Sequence, residues 1–159
     1  MMKILFVCTG NTCRSPMAEA IFPLLYESQE KTPQVFSAGL HALTLDKATD
    51  NAVLTVEKRG GNLRDFRSKL LSTYLLDEAD LVVTMTQAHK NMLLSMDPRS
   101  ADKVISMAEI GGCDIPDPYG GDLAEYEACL QKIETGLKKL QSKLEKSVDK
   151  NNLMKGNIT

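Results

Sequence analysis

The sequence of 159 residues lacks any apolar run long enough to span a membrane, and its N-terminal run, residues 4–7, is too short for a secretion signal. It also lacks an excess of either charge, because 19 basic and 21 acidic residues leave a net charge of -2. Its four cysteines lack the paired spacing of a disulfide scaffold. These absences predict a cytoplasmic protein with no general affinity for nucleic acid or membranes.

The composition is ordinary for a globular protein, with 43% hydrophobic and 25% charged residues. We find no internal repeat and no linker that would divide the chain. The length suits one compact domain with a substantial core. We therefore predict a single domain over residues 1–150, a polar tail over residues 151–159, and a monomer.

Apolar runs of strand length alternate with helical patterns along the chain. The predicted strands cover residues 3–7, 34–37, 81–85 and 103–107. The predicted helices cover residues 16–26 with a kink at Pro23, and residues 49–59, 70–79, 87–96 and 123–150. This alternation predicts an α/β fold, in which a parallel sheet lies between two layers of helices.

The loop between the first predicted strand and the first helix carries Cys8 at one end and Arg14 at the other. Backbone N–H groups of such a loop can surround an anion, and the helix N-terminus, which Ser15 can cap, adds partial positive charge. The guanidinium of Arg14 matches two phosphate oxygens. These donors favour the thiolate form of Cys8, a nucleophile. The loop therefore predicts phosphoryl transfer to cysteine.

A second loop, residues 111–122, holds Asp117 between two prolines. Phosphoryl transfer to a thiolate needs a proton for the leaving group, and a fixed carboxylic acid can supply it and then act as the base for water. Asp117 is the predicted acid, with Tyr119 as a pocket wall. Asp114 and Asp122 are rival acids, but their spacing does not match a calcium loop, so we expect no metal.

The loop VCTGNTCRSP, residues 7–16, together with the late sequence DPY, residues 117–119, resembles the low-molecular-weight protein tyrosine phosphatase family. The sequence SAG, residues 37–39, also resembles a motif of that family. The resemblance covers nearly the full length of the chain. It implies a three-layer sandwich with a four-stranded parallel sheet, and a two-step mechanism that uses neither metal nor cofactor.

Matched to the family's motif, Cys8 is the nucleophile, Arg14 binds phosphate in the transition state, and Asp117 is the acid and then the base. Ser15 would donate a hydrogen bond to the thiolate, and Asn11 would hold the loop in a left-handed conformation. Backbone donors would come from the loop residues Thr9, Gly10, Asn11, Thr12 and Cys13. The expected substrate is a phosphorylated protein.

Cys13 matches the second loop cysteine of the family, which can form a disulfide with the nucleophile and protect it from over-oxidation. The resemblance therefore implies reversible redox control through Cys8 and Cys13. The alternative is that Cys13 only fills the loop.

Thr12 bears on the substrate. Tyrosine-directed members of the family usually have isoleucine at this position, whereas the loop here resembles the arginine-directed branch, which has threonine. A threonine hydroxyl can bind a guanidinium, a water molecule or Asp117. We therefore expect a phosphoarginine phosphatase, with phosphotyrosine as the alternative substrate and a tolerated variant as the alternative interpretation of Thr12.

Two other functions remain open from the sequence. A thioredoxin-coupled arsenate reductase would need Cys113 and Cys129 as a relay, although both look like packing cysteines. A non-catalytic phosphate-binding module would not need Asp117. The two histidines, His41 and His89, are expected on the surface or in loops, because the mechanism uses neither.

Overall fold

The computed structural model describes residues 1–155. Its four strands are β1 (Lys3–Cys8), β2 (Gln34–Gly39), β3 (Leu81–Thr84) and β4 (Val104–Ser106). Its helices are α1 (Arg14–Ile21), α2 (Asp50–Glu57), α3 (Thr73–Glu78), α4 (Gln87–Met96), α5 (Met107–Gly111) and α6 (Leu123–Lys155). None of the helices within this range combines the length and the apolar content that a membrane span requires.

The four strands form one parallel sheet in the order β2-β1-β3-β4, which confirms the predicted architecture. Cys8 pairs with Gly39 at the end of β2, and Val7 pairs with Thr84 at the end of β3. The carboxyl ends of three strands therefore meet where the loop after Cys8 begins. Parallel sheets of this kind bind ligands at that edge.

Side chains alternate across β1 and supply two hydrophobic cores. Ile4, Phe6 and Cys8 face the core that is covered by α1, α2, α5 and α6. Leu5 and Val7 face the core that is covered by α3 and α4. This alternation places the Cys8 thiol on the face where α1 begins.

Helix α1 begins earlier than predicted, at Arg14, and ends at Ile21. Ser15 therefore lies inside the helix and does not cap it, because its hydroxyl is engaged by the loop. Pro23 lies at the start of a 3₁₀ turn, Phe22–Leu25, so the α-helix stops before the proline and is not kinked by it.

Helix α3 and strand β4 also differ from the predictions. Helix α3 begins at Thr73 and not near residue 70, because Leu71 donates its N–H to the carbonyl of Gly39 and stays extended, and Ser72 caps the helix. Strand β4 ends at Ser106, whose side chain forms a capping box with Glu109. That box starts helix α5, which the sequence patterns did not reveal.

Helix α6 packs on the domain as a terminal helix, with its spaced apolar residues Leu130, Ile133, Leu137 and Leu140 buried. It continues to Lys155, so the predicted domain boundary at residue 150 falls inside a helix. No glycine or proline occurs between Gly136 and Gly156 to stop it. The rest of the predicted tail, residues 156–159, lies outside the described residues.

Candidate active site

The loop between β1 and α1 forms one wall of a cavity of about 240 Å³, and the Asp117 loop forms the other. Eight residues singled out from the sequence line this cavity: Cys8, Thr9, Gly10, Thr12, Cys13, Arg14, Asp117 and Tyr119. The fold therefore brings together two segments that lie about a hundred residues apart in the chain. The other two predicted site residues, Asn11 and Ser15, are fully buried.

The Cys8 thiol is buried and lies 2.8 Å from the hydroxyl of Ser15. Asn11 holds this pair in place, because its side-chain amide donates to Ser15 at 2.9 Å and to Ser37 at 2.9 Å. Its carbonyl oxygen accepts the backbone N–H of Lys69 at 2.9 Å. Asn11 has φ of 54°, so the predicted left-handed conformation is confirmed.

The hydrogen bonds of the loop extend to Glu19, which the sequence reasoning missed. Ser37 donates to a carboxylate oxygen of Glu19 at 3.2 Å. Burial raises the pKa of Glu19, and the positive charge of Lys69 and the bond from Ser37 oppose that rise. The SAG sequence thus contributes Ser37 to the support of the loop.

Gly39 allows β2 to approach the loop closely. The backbone N–H groups of Leu40 and His41 donate to the carbonyls of Cys8 and Thr9, both at 2.9 Å. A Cβ atom on Gly39 would lie 2.6 Å from the Thr9 carbonyl oxygen and 2.9 Å from the Asn11 nitrogen. A side chain at this position would displace the loop.

The guanidinium of Arg14 is buried and faces the cavity. One terminal nitrogen, Nη1, donates to the carbonyl of Ile115 at 3.0 Å. The other, Nη2, lies 3.6 Å from a carboxylate oxygen of Asp117. Arg14 therefore connects the two loops, and its orientation is fixed from the side of the second loop.

The structure distinguishes the three candidate acids. Asp114 accepts the backbone N–H of Gln87 and Asp122 accepts that of Glu125, so both carboxylates hold helix N-termini. Asp117 is the one of the three that lines the cavity. Its other oxygen accepts the backbone N–H of Tyr119 at 3.0 Å, which orients the carboxylate.

Thr12 and Tyr119 lie on the walls of the cavity. Thr12 is half-buried, and its carbonyl accepts the backbone N–H of Thr49 at 3.0 Å. Tyr119 is 72% exposed, so its ring stands at the rim and can meet a substrate there. These two side chains are in a position to shape what enters the cavity.

Cys13, which also lines the cavity, is buried and contacts residues of α6 and of the segment before α2. Its sulfur lies 3.2 Å from the hydroxyl of Tyr126 and 3.6 Å from the hydroxyl of Thr49. Burial raises the pKa of Tyr126, and the hydrogen bond to Cys13 adds to the effect. Tyr126, on α6, was not identified from the sequence.

The surroundings of Cys113 and Cys129 do not favour the relay that an arsenate reductase would need. Cys129 is buried on α6, as expected of a packing residue, and burial raises the pKa of its thiol to about 12. It is therefore a thiol at neutral pH and a poor nucleophile. Cys113 is exposed, so the expectation of a packing role was wrong for it. All four cysteines are free.

His89 contradicts the expectation of a surface or loop position. It is 6% exposed on α4, and its Nε2 lies 2.8 Å from the hydroxyl of Thr9. Burial and the positive charge of Arg14 lower its pKa to about 4, against the opposing charges of Asp114 and Asp117. The sequence did offer one signal for this position, because His89 follows β3, and β3 lies beside β1 in the sheet. His41 is exposed, as expected.

Within residues 1–155, no group of three or more histidine, cysteine or carboxylate side chains is placed to hold a metal ion.

The sequence and the fold are similar to those of known proteins. A family described as low molecular weight phosphotyrosine protein phosphatase matches residues 3–151. A protein-arginine-phosphatase of Bacillus subtilis is 40% identical, covering 91% of this chain and 98% of the relative. A probable low molecular weight protein-tyrosine-phosphatase of Ralstonia nicotianae is 37% identical, covering 84% and 90%.

A solved structure of YwlE arginine phosphatase, a cysteine-to-serine mutant with a phosphorylated active-site serine, superposes with a TM-score of 0.85. The sequence of that structure is 39% identical to this one, and the match covers 91% of this chain and 97% of the YwlE chain. Because the match extends over nearly all of the chain and includes both loops of the cavity, this protein belongs to the low molecular weight phosphotyrosine protein phosphatase family of enzymes.

Proposed function

We propose that the protein removes phosphate from phosphoarginine residues of proteins through a cysteinyl-phosphate intermediate on Cys8. The observation that carries the proposal is that one cavity contains the Cys8 thiol, the Arg14 guanidinium and the Asp117 carboxylate, with Thr12 on its wall. The name of the Bacillus subtilis relative and the phosphorylated active-site serine of the YwlE mutant support it.

Substrate binding begins with the phosphoryl group entering the loop. The backbone N–H groups of residues 9–13 and the N-terminus of α1 attract its charge. Arg14, held by Ile115, offers its remaining N–H groups to two phosphoryl oxygens. The phosphoryl group competes with the side chain of Asp117 for the guanidinium, and their 3.6 Å contact loosens as Asp117 takes up the proton that it donates in the first step.

In the first step, the Cys8 thiolate attacks phosphorus. The S–P bond forms and the P–N bond to the substrate breaks. The leaving guanidine nitrogen takes a proton from Asp117, which becomes a carboxylate. Arg14 stabilises the charge that spreads over the phosphoryl oxygens in the transition state.

In the second step, a water molecule attacks the cysteinyl phosphate. Asp117 accepts the proton of that water, the new P–O bond forms and the S–P bond breaks. Ser15, 2.8 Å from the sulfur, donates a hydrogen bond to the departing thiolate. Inorganic phosphate leaves, and the thiolate and the protonated Asp117 are restored.

Thr12 supports phosphoarginine as the substrate. Compared with isoleucine, threonine presents a hydroxyl in place of an ethyl group on the wall of the cavity. A guanidinium is flat, polar and rich in N–H donors, so it suits the hydroxyl better than an isoleucine side chain would. The Asp117 carboxylate on the same cavity can also orient the guanidinium.

Hydrolysis of phosphoarginine and phosphotyrosine peptides of one sequence tests this proposal. We expect the wild type to prefer phosphoarginine in kcat/KM. Thr12→Ile, which replaces the hydroxyl with an ethyl group, should shift that preference towards phosphotyrosine by about 10-fold or more, since even one methylene in a pocket has an effect of that size. Thr12→Val removes the hydroxyl at nearly constant side-chain size, and Thr12→Ser retains the hydroxyl, so the two variants separate the effect of the hydroxyl from that of size. A wild type without preference for phosphoarginine would contradict the proposal.

Phosphotyrosine is the second candidate substrate. It is favoured by the Ralstonia relative, which is named as a probable tyrosine phosphatase, and by the exposed ring of Tyr119 at the rim. Aromatic rings pack well against each other. A preference for phosphotyrosine in the same experiment would favour this function.

We propose that Cys13 protects the nucleophile. A hydroperoxide would oxidise the Cys8 thiolate to a sulfenic acid, and the Cys13 thiolate would attack it, form the disulfide and release hydroxide. After treatment with the hydroperoxide, thiol reduction should restore the activity of the wild type but not that of Cys13→Ser. Equal recovery of both proteins would contradict the protective role.

We also propose that the protein acts as a cytoplasmic monomer on phosphorylated proteins. The four free thiols suit a reducing compartment. The small net charge supports protein substrates over nucleic acid. Sedimentation analysis over a range of concentrations tests the monomer.

A further inference from the structure

His89 is a buried titratable residue that the proposed mechanism does not use. Its backbone N–H donates to the hydroxyl of Thr86 at 3.0 Å, which anchors the residue at the start of α4, and its ring nitrogen Nε2 lies 2.8 Å from the hydroxyl of Thr9. Thr9 follows the nucleophile directly and lines the cavity. The contact therefore connects helix α4 to the active-site loop.

The charge state of His89 follows from its surroundings. Burial and Arg14 lower its pKa to about 4, although Asp114 and Asp117 oppose them. The ring is therefore neutral at physiological pH and carries one N–H group.

The position of that proton follows from hydrogen bonding. The second ring nitrogen, Nδ1, is buried and has no hydrogen-bond partner within the part of the chain that the structure describes. An unpaired buried N–H donor is rare because it loses water without compensation. The proton therefore belongs on Nε2, where the Thr9 hydroxyl oxygen can accept it.

The orientation of Thr9 is then determined. Its oxygen accepts from His89, so its own O–H proton points away from the ring. Thr9 is exposed to the cavity that holds Cys8 and Arg14. A phosphoryl group bound there brings anionic oxygens, which are strong acceptors for a hydroxyl donor.

We propose that His89 is a positioning residue, which orients the Thr9 hydroxyl as a hydrogen-bond donor to the phosphoryl group of the substrate. The inference rests on the phosphoryl-binding part of the proposed function and does not depend on phosphoarginine as the substrate. It adds a side-chain donor to the backbone donors of the loop. It also gives α4 a part in substrate binding.

A double-mutant cycle with inorganic phosphate and an aryl phosphate as probes tests this inference. We expect His89→Phe and Thr9→Val each to weaken phosphate binding and to reduce kcat/KM for the aryl phosphate by about 5- to 30-fold, the value of one hydrogen bond to an anion. The double variant should be no weaker than either single variant, because both remove the same contact.

Conservative variants separate positioning from a structural role. His89→Gln keeps an N–H donor and should recover most of the phosphate affinity, and Thr9→Ser keeps the hydroxyl and should do the same. Tyr74→Phe, at an exposed ring on α3 that does not line the cavity, is the control and should bind phosphate as the wild type does. Thermal unfolding of each variant establishes that it is folded.

Additive effects of the two single variants, or unchanged phosphate affinity in Thr9→Val, would overturn the inference. Its failure differs from failure of the proposed function. If the wild type prefers phosphotyrosine, the phosphoarginine proposal fails while the cycle still holds. If the wild type neither binds phosphate nor hydrolyses the aryl phosphate, both fail.

Discussion

Among single residues, Asp117 differs from its neighbours in what its carboxylate contacts. Asp114 and Asp122 accept backbone N–H groups at the starts of helices. Asp117 faces Arg14 at 3.6 Å, and its side chain is 55% exposed. The second carboxylate oxygen is held by the backbone of Tyr119, so a proton donor is oriented without being buried.

We predict that Asp117→Asn lowers kcat by about 100- to 10,000-fold on substrates with poor leaving groups, because it removes the proton donor and the later base. Asp114→Asn and Asp122→Asn are matched controls that retain a side-chain oxygen for their helix N-termini. Steady-state kinetics of the three variants on a phosphoarginine peptide should separate them. Equal losses in all three would show that Asp117 has no particular role in the chemistry.

His89 should make stability depend on pH in a particular window. Its pKa is lowered from 6.5 to about 4 in the folded protein, so the unfolded chain binds a proton more readily. The stability from burying the neutral ring is complete above about pH 6.5 and is lost as the pH falls towards 4. The loss amounts to about 3 kcal/mol for a shift of this size.

Denaturant unfolding at several pH values between 7 and 4 measures this effect. The wild type should lose more stability than His89→Phe as the pH falls, and His41→Phe should follow the wild type. The comparison between variants removes the contribution of carboxylates such as Asp97 and Glu109, whose pKa values are lowered in the folded protein. Parallel pH profiles of the wild type and His89→Phe would contradict the assignment.

At the residue scale, the sequence predicted residues that the structure brings to one cavity, because Cys8, Arg14 and Asp117 belong to compact motifs. It did not reveal the residues that hold them. His89 and Tyr126 contact the loop from α4 and α6, and each comes from a helix whose pattern indicates only burial. Such contacts depend on the packing of helices on the sheet, which a linear pattern does not specify.

Among the elements, the end of β2 supports the active-site loop through backbone contacts. Gly39 pairs with Cys8, and the next two residues donate to the carbonyls of Cys8 and Thr9. An added methyl group at Gly39 would meet backbone atoms at 2.6 Å and 2.9 Å. Backbone cannot rotate away as a flexible side chain can, so the loop itself must move.

We predict that Gly39→Ala lowers kcat/KM by about 10- to 100-fold, since displacements of the order of 1 Å in a catalytic group have effects of this size. Gly111→Ala is the control, because its added methyl group would lie 3.5 Å from Gly136, an ordinary contact. Kinetics with an aryl phosphate and thermal unfolding should be measured for both. Wild-type kinetics in Gly39→Ala would contradict the supporting role of β2.

The element boundaries show where local patterns fail. Helix α4 begins and ends as predicted, since Thr86 caps it and Asp97-Pro98 ends it. Helix α3 was predicted too long, because Leu70 and Leu71 look helical but extend beside Gly39. Tertiary pairing overrides local preference there, and the five residues of α5 are too few for a helical period to be visible.

For the whole molecule, the alternation of strands and helices was enough to predict the parallel sheet, because few topologies satisfy right-handed crossovers. The order β2-β1-β3-β4 brings the Cys8 loop, the start of α4 and the Asp117 loop to one edge of the sheet. The pattern of strands and helices did not specify the cavity volume of about 240 Å³ or the burial of His89.

The measurement that tests the central claim most directly is rapid quenching of the wild-type enzyme during turnover of a phosphoarginine peptide, followed by mapping of the phosphoryl group by mass spectrometry. We predict a phosphoryl group on Cys8 that appears before inorganic phosphate and disappears as the substrate is exhausted. Turnover of the peptide with the phosphoryl group on another residue, or with Cys8 unmodified throughout, would contradict the cysteinyl-phosphate mechanism.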